Sequence, residues 1–205
     1  MKAGGPLDEA TARDGLLALS RLAARTAETL SQEIEGVAAL VCRSLEGGGR
    51  LFFCGNGGSA ADAQHLAAEY VVRFQWDRRP LPALALTTDS SVLTAGANDL
   101  GFEQVFARQV RALAREGDVL FLHSTSGESP NLLLAAQAAR EVGATTVALL
   151  ARGGGRLRER VDHALVVPTD VTARAQELHL AIGHLICQIV DRSAAGGDQE
   201  GGAAR

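Results

Sequence analysis

Lysine is almost missing from this sequence: Lys2 is the only one in 205 residues. Schiff-base chemistry on an internal lysine is thereby excluded. So is a Walker-type phosphate loop, because no lysine follows the glycine turn at residues 55–58. Cysteine is scarce as well. Cys42, Cys54 and Cys187 are widely spaced in apolar runs, so they make neither a disulfide framework nor a zinc ribbon and read as core thiols. Positive charge is not in excess. The net charge of −4 argues against non-specific binding to nucleic acid. No apolar run approaches the about 20 residues that span a bilayer, and the N-terminus MKAGGPLDEA lacks an apolar signal core. These absences point to a cytoplasmic protein that has no membrane and no nucleic acid as partner.

A core is well provided for, with 46% hydrophobic residues. The length suits one domain with accessory helices. Residues 1–7 read as a disordered N-terminus, 8–193 as a single domain, and 194–205, rich in Gly and Ala, as a disordered tail. From Asp8 to about Leu45 the pattern is helical, with a break near Glu28–Gln32. Leu16, Leu19, Leu22 and Ala23 form one stripe, and Leu30, Ile34, Val37, Leu40 and Val41 another, so an N-terminal helix pair is expected. Strand candidates follow at Arg50–Cys54, Ala83–Leu86, Val119–His123, Thr145–Leu150 and Ala164–Val167. Helices are expected at Ser59–Phe74, about Gly101–Arg115, Pro130–Val142, a short piece near Arg156–Arg160, and Ala173–Arg192. The strands are continuous apolar runs, not alternating ones. That predicts an α/β fold, a doubly wound five-stranded parallel sheet between helices. In such a sheet the site lies beyond the carboxyl ends of the strands.

The residues just after the strands are therefore the ones to inspect. After the first comes Gly55-Asn56-Gly57-Gly58, with Ser59 as the expected N-cap of the next helix. A strand, a glycine turn and a helix N-terminus make an anion site. Further along that helix, His65 and Glu69 are four residues apart and share a face. They suit acid/base or metal chemistry; alone, they equally suit a solvated surface pair. GNGGSA also matches a dinucleotide fingerprint, yet the acidic residue this requires after the second strand is missing. After the third strand comes STSGESP, with four hydroxyls before a helix that Ser129 caps and Pro130 opens. Hydroxyls and free amides suit a phosphate monoester. Glu128 opposes that unless its carboxylate points away.

The last helix is apolar nearly all round, so a histidine inside it must have a partner. Gln176 and His184 lie about 80° apart round the helix and can border one pocket. His179 points elsewhere and reads as structural. His123 and His163, at strand edges, read as packing or surface residues. Two histidines, a carboxylate and an amide oxygen can bind a zinc-like ion.

CGNGGSAADAQHLAAE, the later STSG-x-S, GANDLGF, and QELHLAIGH occur in that order. Together they resemble the phosphoheptose isomerase family, single-domain members of the sugar isomerase (SIS) proteins, over about residues 8–192. The resemblance implies a homotetramer with sites at subunit interfaces and a small sugar phosphate as substrate. It implies conversion of sedoheptulose 7-phosphate to D-glycero-D-manno-heptose 7-phosphate, the entry to heptose biosynthesis. The phosphate site carries over to Ser124, Thr125, Ser126 and Ser129. Sugar contacts carry over to Asn56, Gly57, Gly58, Asn98 and Asp99, in a substrate set that also takes in Ser59, Glu69 and Gln176. One Zn2+ per subunit would be held by His65, Glu69, Gln176 and His184, and Glu69 and His184 match the acid/base pair. Glu128 stands where Asn is usual, His123 precedes the serine loop, and RFQWDRRP is slightly long. Two alternatives stay open: an isomerase of another phosphoketose, and a non-catalytic SIS protein that binds a replication initiator. In the latter type the acidic residue and final histidine are replaced, whereas both are present here.

Overall fold

All five apolar runs pair into one parallel sheet. Residues 11–201 are described by a computed structural model; the segment expected to be disordered at 1–7 lies outside them. In chain order the elements are α1 (Ala12–Glu46), β1 (Leu51–Gly55), α2 (Gly58–Val71), β2 (Ala83–Ala85), α3 (Ser90–Leu100), α4 (Val105–Leu113), β3 (Val119–Ser124), α5 (Pro130–Glu141), β4 (Thr145–Leu150), β5 (His163–Val166) and α6 (Thr172–Gly201). The strand order is β2-β1-β3-β4-β5. Leu51 of β1 is in register with Ala83 on one side and Val119 on the other. Because β1 lies between β2 and β3, the chain reverses its direction across the sheet there. The crevice beyond the ends of β1 and β3 is the place such sheets offer to ligands.

Alternate strand residues feed two cores, as the period of two requires. Leu51, Phe53, Val119, Phe121, Val147 and Leu149 face α1, α2 and α6. Phe52, Cys54, Leu120, Leu122, Ala148 and Leu150 face α4, α5 and the short 3₁₀ turn carrying Leu157. β1 and β3 are buried along their whole length. The cysteines are free, with Cys54 and Cys187 buried and Cys42 half-buried.

Four expectations need correction. The N-terminal helix pair is one helix, α1, without a break at Glu28–Gln32. Its buried stripe runs on through Leu22, Thr26, Leu30, Ile34, Val37, Ala38, Val41 and Leu45. The polar residues that suggested a break are absorbed by bonds back along the helix: Thr26 Oγ1 donates to the Leu22 carbonyl, Thr29 Oγ1 to Arg25 and Ser31 Oγ to Ala27. Ser59 is not the cap of α2. Gly57, at φ +58°, holds that position, because only a left-handed residue turns the chain this sharply out of β1. No helix is expected between the second strand and Gly101, yet α3 lies there, capped by Asp89, whose side chain accepts from the Val92 amide at 3.0 Å. Lastly, α6 continues past Arg192 to Gly201, so residues 194–201 are helical rather than a loose tail. Ala194 packs against the core and carries the helix over that point.

Candidate active site

The glycine turn and the serine loop meet at the crevice between β1 and β3. Asn56 and Asn131 lock them together. The Asn56 side-chain amide donates to Asn131 Oδ1 at 3.0 Å, and that of Asn131 returns a bond to Asn56 Oδ1 at 2.8 Å. Asn131 was missed in the sequence, although an amide directly after Pro130, in the first turn of a helix facing the crevice, was there to be noticed. Gly55 permits the tight passage: a Cβ there would lie 2.6 Å from the Ser59 carbonyl oxygen. Ser59 itself is buried. A cavity of about 250 Å³ opens beside the pair, lined by Asn56, Phe102, Glu103, Ser129, Pro130 and Asn131.

In the serine loop, Ser124 Oγ accepts from the Gly127 amide at 3.0 Å and Ser126 Oγ from the Glu128 amide at 3.3 Å. A hydroxyl that accepts from the backbone still has its own proton to donate. Ser129 occupies the N-cap of α5, but its hydroxyl makes no capping bond. Thr125 and Ser126 are half-buried at the mouth of the crevice. Glu128 turns away from the loop and onto Arg156, with 2.6 Å between Oε2 and Nε. The arginine holds that carboxyl below its ordinary range.

The second cluster stands on α2 and α6. His65 Nε2 lies 2.8 Å from His184 Nε2 and 3.4 Å from Glu69 Oε1. Two features aim these groups. His184 stacks on Phe74 with ring centroids 5.2 Å apart. Arg78, its side chain fully buried, donates to the carbonyls of Glu69 at 2.9 Å and Tyr70 at 3.0 Å. Arg78 is in turn paired with the buried Asp191 of α6, which also accepts from the amides of Gln75 and Trp76 at 2.8 Å. The loop RFQWDRRP therefore pins the end of α2 to α6. Asp191 could have been found in the sequence by the rule applied to His184: a polar residue in an apolar helix must have a partner. Burial, and then the charge of His65, push the His184 imidazole down; Glu69 partly opposes this. A neutral imidazole keeps the lone pair a metal requires.

One ligand atom from each of His65, Glu69 and His184 falls within 4.8 Å of the others. Ligands bound tetrahedrally at 2.0–2.1 Å sit about 3.3 Å from one another. The 3.4 Å between His65 and Glu69 matches that edge, and the 2.8 Å between the imidazoles reaches it once they part by about half an ångström; two nitrogens with a carboxylate oxygen form a donor set that zinc accepts. Gln176 lies against the first turn of α2, where a Cβ on Gly58 would come within 2.6 Å of its amide nitrogen. Asp62, one turn before His65, has a buried oxygen without a partner, and burial raises its carboxyl.

Other expected residues lie apart. Asn98 and Asp99 are exposed at the end of α3, where the Asn98 amide donates to Asp99 Oδ1 at 2.7 Å. Among the described residues no hydrogen bond ties either to the serine loop or to the histidine cluster. His179 is buried, 3.0 Å from the Leu150 carbonyl. His123 is buried too, with neither ring nitrogen paired, and His163 is exposed.

The SIS domain family model matches residues 16–151. The phosphoheptose isomerase of Nitratidesulfovibrio vulgaris is 52% identical over 172 residues, 84% of this chain and 83% of its own. That of Solidesulfovibrio magneticus is 57% identical over 158 residues, 77% of each chain. Among solved structures, the phosphoheptose isomerase from Neisseria gonorrhoeae superposes with a TM-score of 0.83 at 41% identity, covering 88% of this chain and 96% of its own. The enzyme from Francisella tularensis gives 0.85 at 38% identity with the same coverage. The chain belongs to the SIS domain family and, within it, to the phosphoheptose isomerases.

Proposed function

We propose that this sugar-phosphate isomerase converts sedoheptulose 7-phosphate to D-glycero-D-manno-heptose 7-phosphate with Glu69 and His184 as its acid/base pair. The observation that carries the reading is the convergence of these two side chains, from α2 and α6, on His65. A ketose–aldose isomerisation moves a proton between adjacent carbons through an enediol. It needs a base over carbon and an acid at oxygen. Glu69 has one oxygen turned to His65 and a second left to take the carbon-bound proton. His184 serves the substrate oxygens. With its Nε2 turned to His65, the other ring nitrogen is the one assigned to them.

The serine loop takes the phosphate. Ser124 and Ser126 donate their hydroxyl protons to it, Thr125 and Ser129 border it, and the α5 N-terminus lies beside it. Gly57 and Gly58, exposed at the start of α2, leave room for the sugar beside Asn56, and the Gln176 amide closes that side. Ser59 acts from below, through the shape of the turn.

His65, Glu69, Gln176 and His184 would hold one zinc ion per chain. When bound there, zinc supplies a Lewis acid that polarises the substrate carbonyl. The assembly is a homotetramer. Support comes from the apolar residues one protomer leaves exposed, among them Leu185 and Ile189 on α6 and Val92, Leu100 and Phe102 around α3. Asn98 and Asp99 are on that same exposed stretch, which lets them serve a site shared between protomers. No described helix is long and apolar enough to cross a membrane, in line with a cytoplasmic enzyme.

The test is an assay of purified protein on phosphoketoses of graded length, with a Ser124→Ala/Ser126→Ala variant beside it. Turnover of the heptulose phosphate, with KM raised strongly in the variant, supports the assignment. Turnover of a shorter phosphoketose alone would move the substrate. Inactivity on all of them would favour a binding role.

A further inference from the structure

Glu128 places a carboxylate in the loop that this reading gives to phosphate, and its surroundings show what is done about it. The carboxylate is held from two directions by one residue. Arg156 gives its backbone amide to Glu128 Oε1 at 2.9 Å and its Nε to Oε2 at 2.6 Å, and its Nη2 reaches the Glu128 carbonyl at 3.4 Å. The glycine segment before Arg156 is shaped to allow this. A Cβ at Gly155 would come within 2.7 Å of Glu128 Oε1 and would also strike the Ser126 carbonyl. A Cβ at Gly127, where φ is +66°, would strike the Gly154 carbonyl. Beneath them the buried Leu157 gives its amide to the Gly127 carbonyl at 3.0 Å. The two loops are thus fitted to each other along residues 126–128 and 154–157.

An exposed ion pair of this kind stabilises a fold little, so its use lies elsewhere. A phosphate monoester brings close to two negative charges at neutral pH. A free carboxylate two residues from Ser126 and next to Ser129 would repel it, and like-charge neighbours cost a binding site heavily. We propose that Arg156 is a positioning residue that masks Glu128: it neutralises the carboxylate and turns it out of the serine loop, and so sets the affinity of the site for phosphorylated sugars. The inference rests on the serine loop being the phosphate site.

The sign of a double variant tests it. KM for sedoheptulose 7-phosphate, kcat, and inhibition by inorganic phosphate are measured for Arg156→Ala, Glu128→Gln, the two combined, and Ser124→Ala/Ser126→Ala. Thermal unfolding confirms that each is folded. Arg156→Ala uncovers the charge and should raise both KM and the phosphate inhibition constant by roughly tenfold, with kcat nearly unchanged. Adding Glu128→Gln removes the charge that was uncovered and should return both constants most of the way to wild type. Glu128→Gln alone should leave KM equal or lower. A double variant as poor as Arg156→Ala would mean the pair only shapes the loop, and the mask is refuted. An unchanged KM in Arg156→Ala while the serine variant is impaired refutes it too. If the serine variant itself binds phosphate and substrate normally, the phosphate reading falls first and the mask goes with it.

Discussion

Helix α6 contributes one histidine to each of two quite different surroundings. His184 meets His65 beside Glu69 at the edge of the crevice, partly open to solvent. His179 shares a sealed interior with His123, whose two ring nitrogens have no partner among the described residues. Burial presses His123 down to about 3 and His179 to about 4, so both stay neutral throughout the physiological range and neither has a carboxylate to work with. The residue type is the same at all four positions. What separates the pair assigned to catalysis from the packing pair is the carboxylate beside His65 and the side open to solvent.

The comparison is broken first at Glu69. Glu69→Gln should keep the fold, since an amide replaces the carboxylate in shape, yet it should lower kcat by roughly 10²-fold or more because an amide cannot accept the proton. Zinc content must be measured in the same variant, to separate loss of the base from loss of a ligand. His65→Ala comes next. Elemental analysis should find about one zinc per wild-type chain and little in the variant, as a site stripped of one ligand implies. Full activity of the wild type after exhaustive chelation, with no metal detected, would remove the metal from the account.

The sealed pair should matter only to stability. A histidine whose folded pKa lies below its unfolded value near 6.5 binds protons more readily in the unfolded chain. Its contribution is complete above pH 6.5 and is lost as pH falls toward about 4 for His179 and about 3 for His123. Denaturation measured from pH 7 to pH 4 should therefore show stability falling with acid. His123→Leu should make that fall shallower and, by removing two unpaired buried nitrogens, stabilise the protein at neutral pH by about 1 kcal/mol. Its kcat should stay near wild type. A large loss of activity in His123→Leu would erase the distinction between the pairs.

Much of the architecture was legible because its signals are local and strong. Five continuous apolar runs predicted a parallel sheet, and GNGGS and STSGESP marked the strand ends that border the crevice. The i,i+4 spacing of His65 and Glu69 placed them on one face, as found. What escaped notice leaves no apolar pattern or depends on distant parts of the chain. That α1 is unbroken depends on hydroxyls bonding back to carbonyls four residues earlier. α3 was obscured because none of its residues is fully buried in the protomer, so it has no apolar stripe to read. The Arg78–Asp191 pair joins residues 113 apart, and the Glu128–Arg156 pair residues 28 apart; no spacing rule connects either.

Glu69 is assigned the proton that passes from one carbon to its neighbour. Isomerisation in D2O, with deuterium at the reacting carbon followed by NMR, tests it most directly. Exchange and turnover should both collapse in Glu69→Gln, while the variant still binds the heptulose phosphate and unfolds at the wild-type temperature. Exchange at the wild-type rate in a zinc-replete Glu69→Gln enzyme would contradict it.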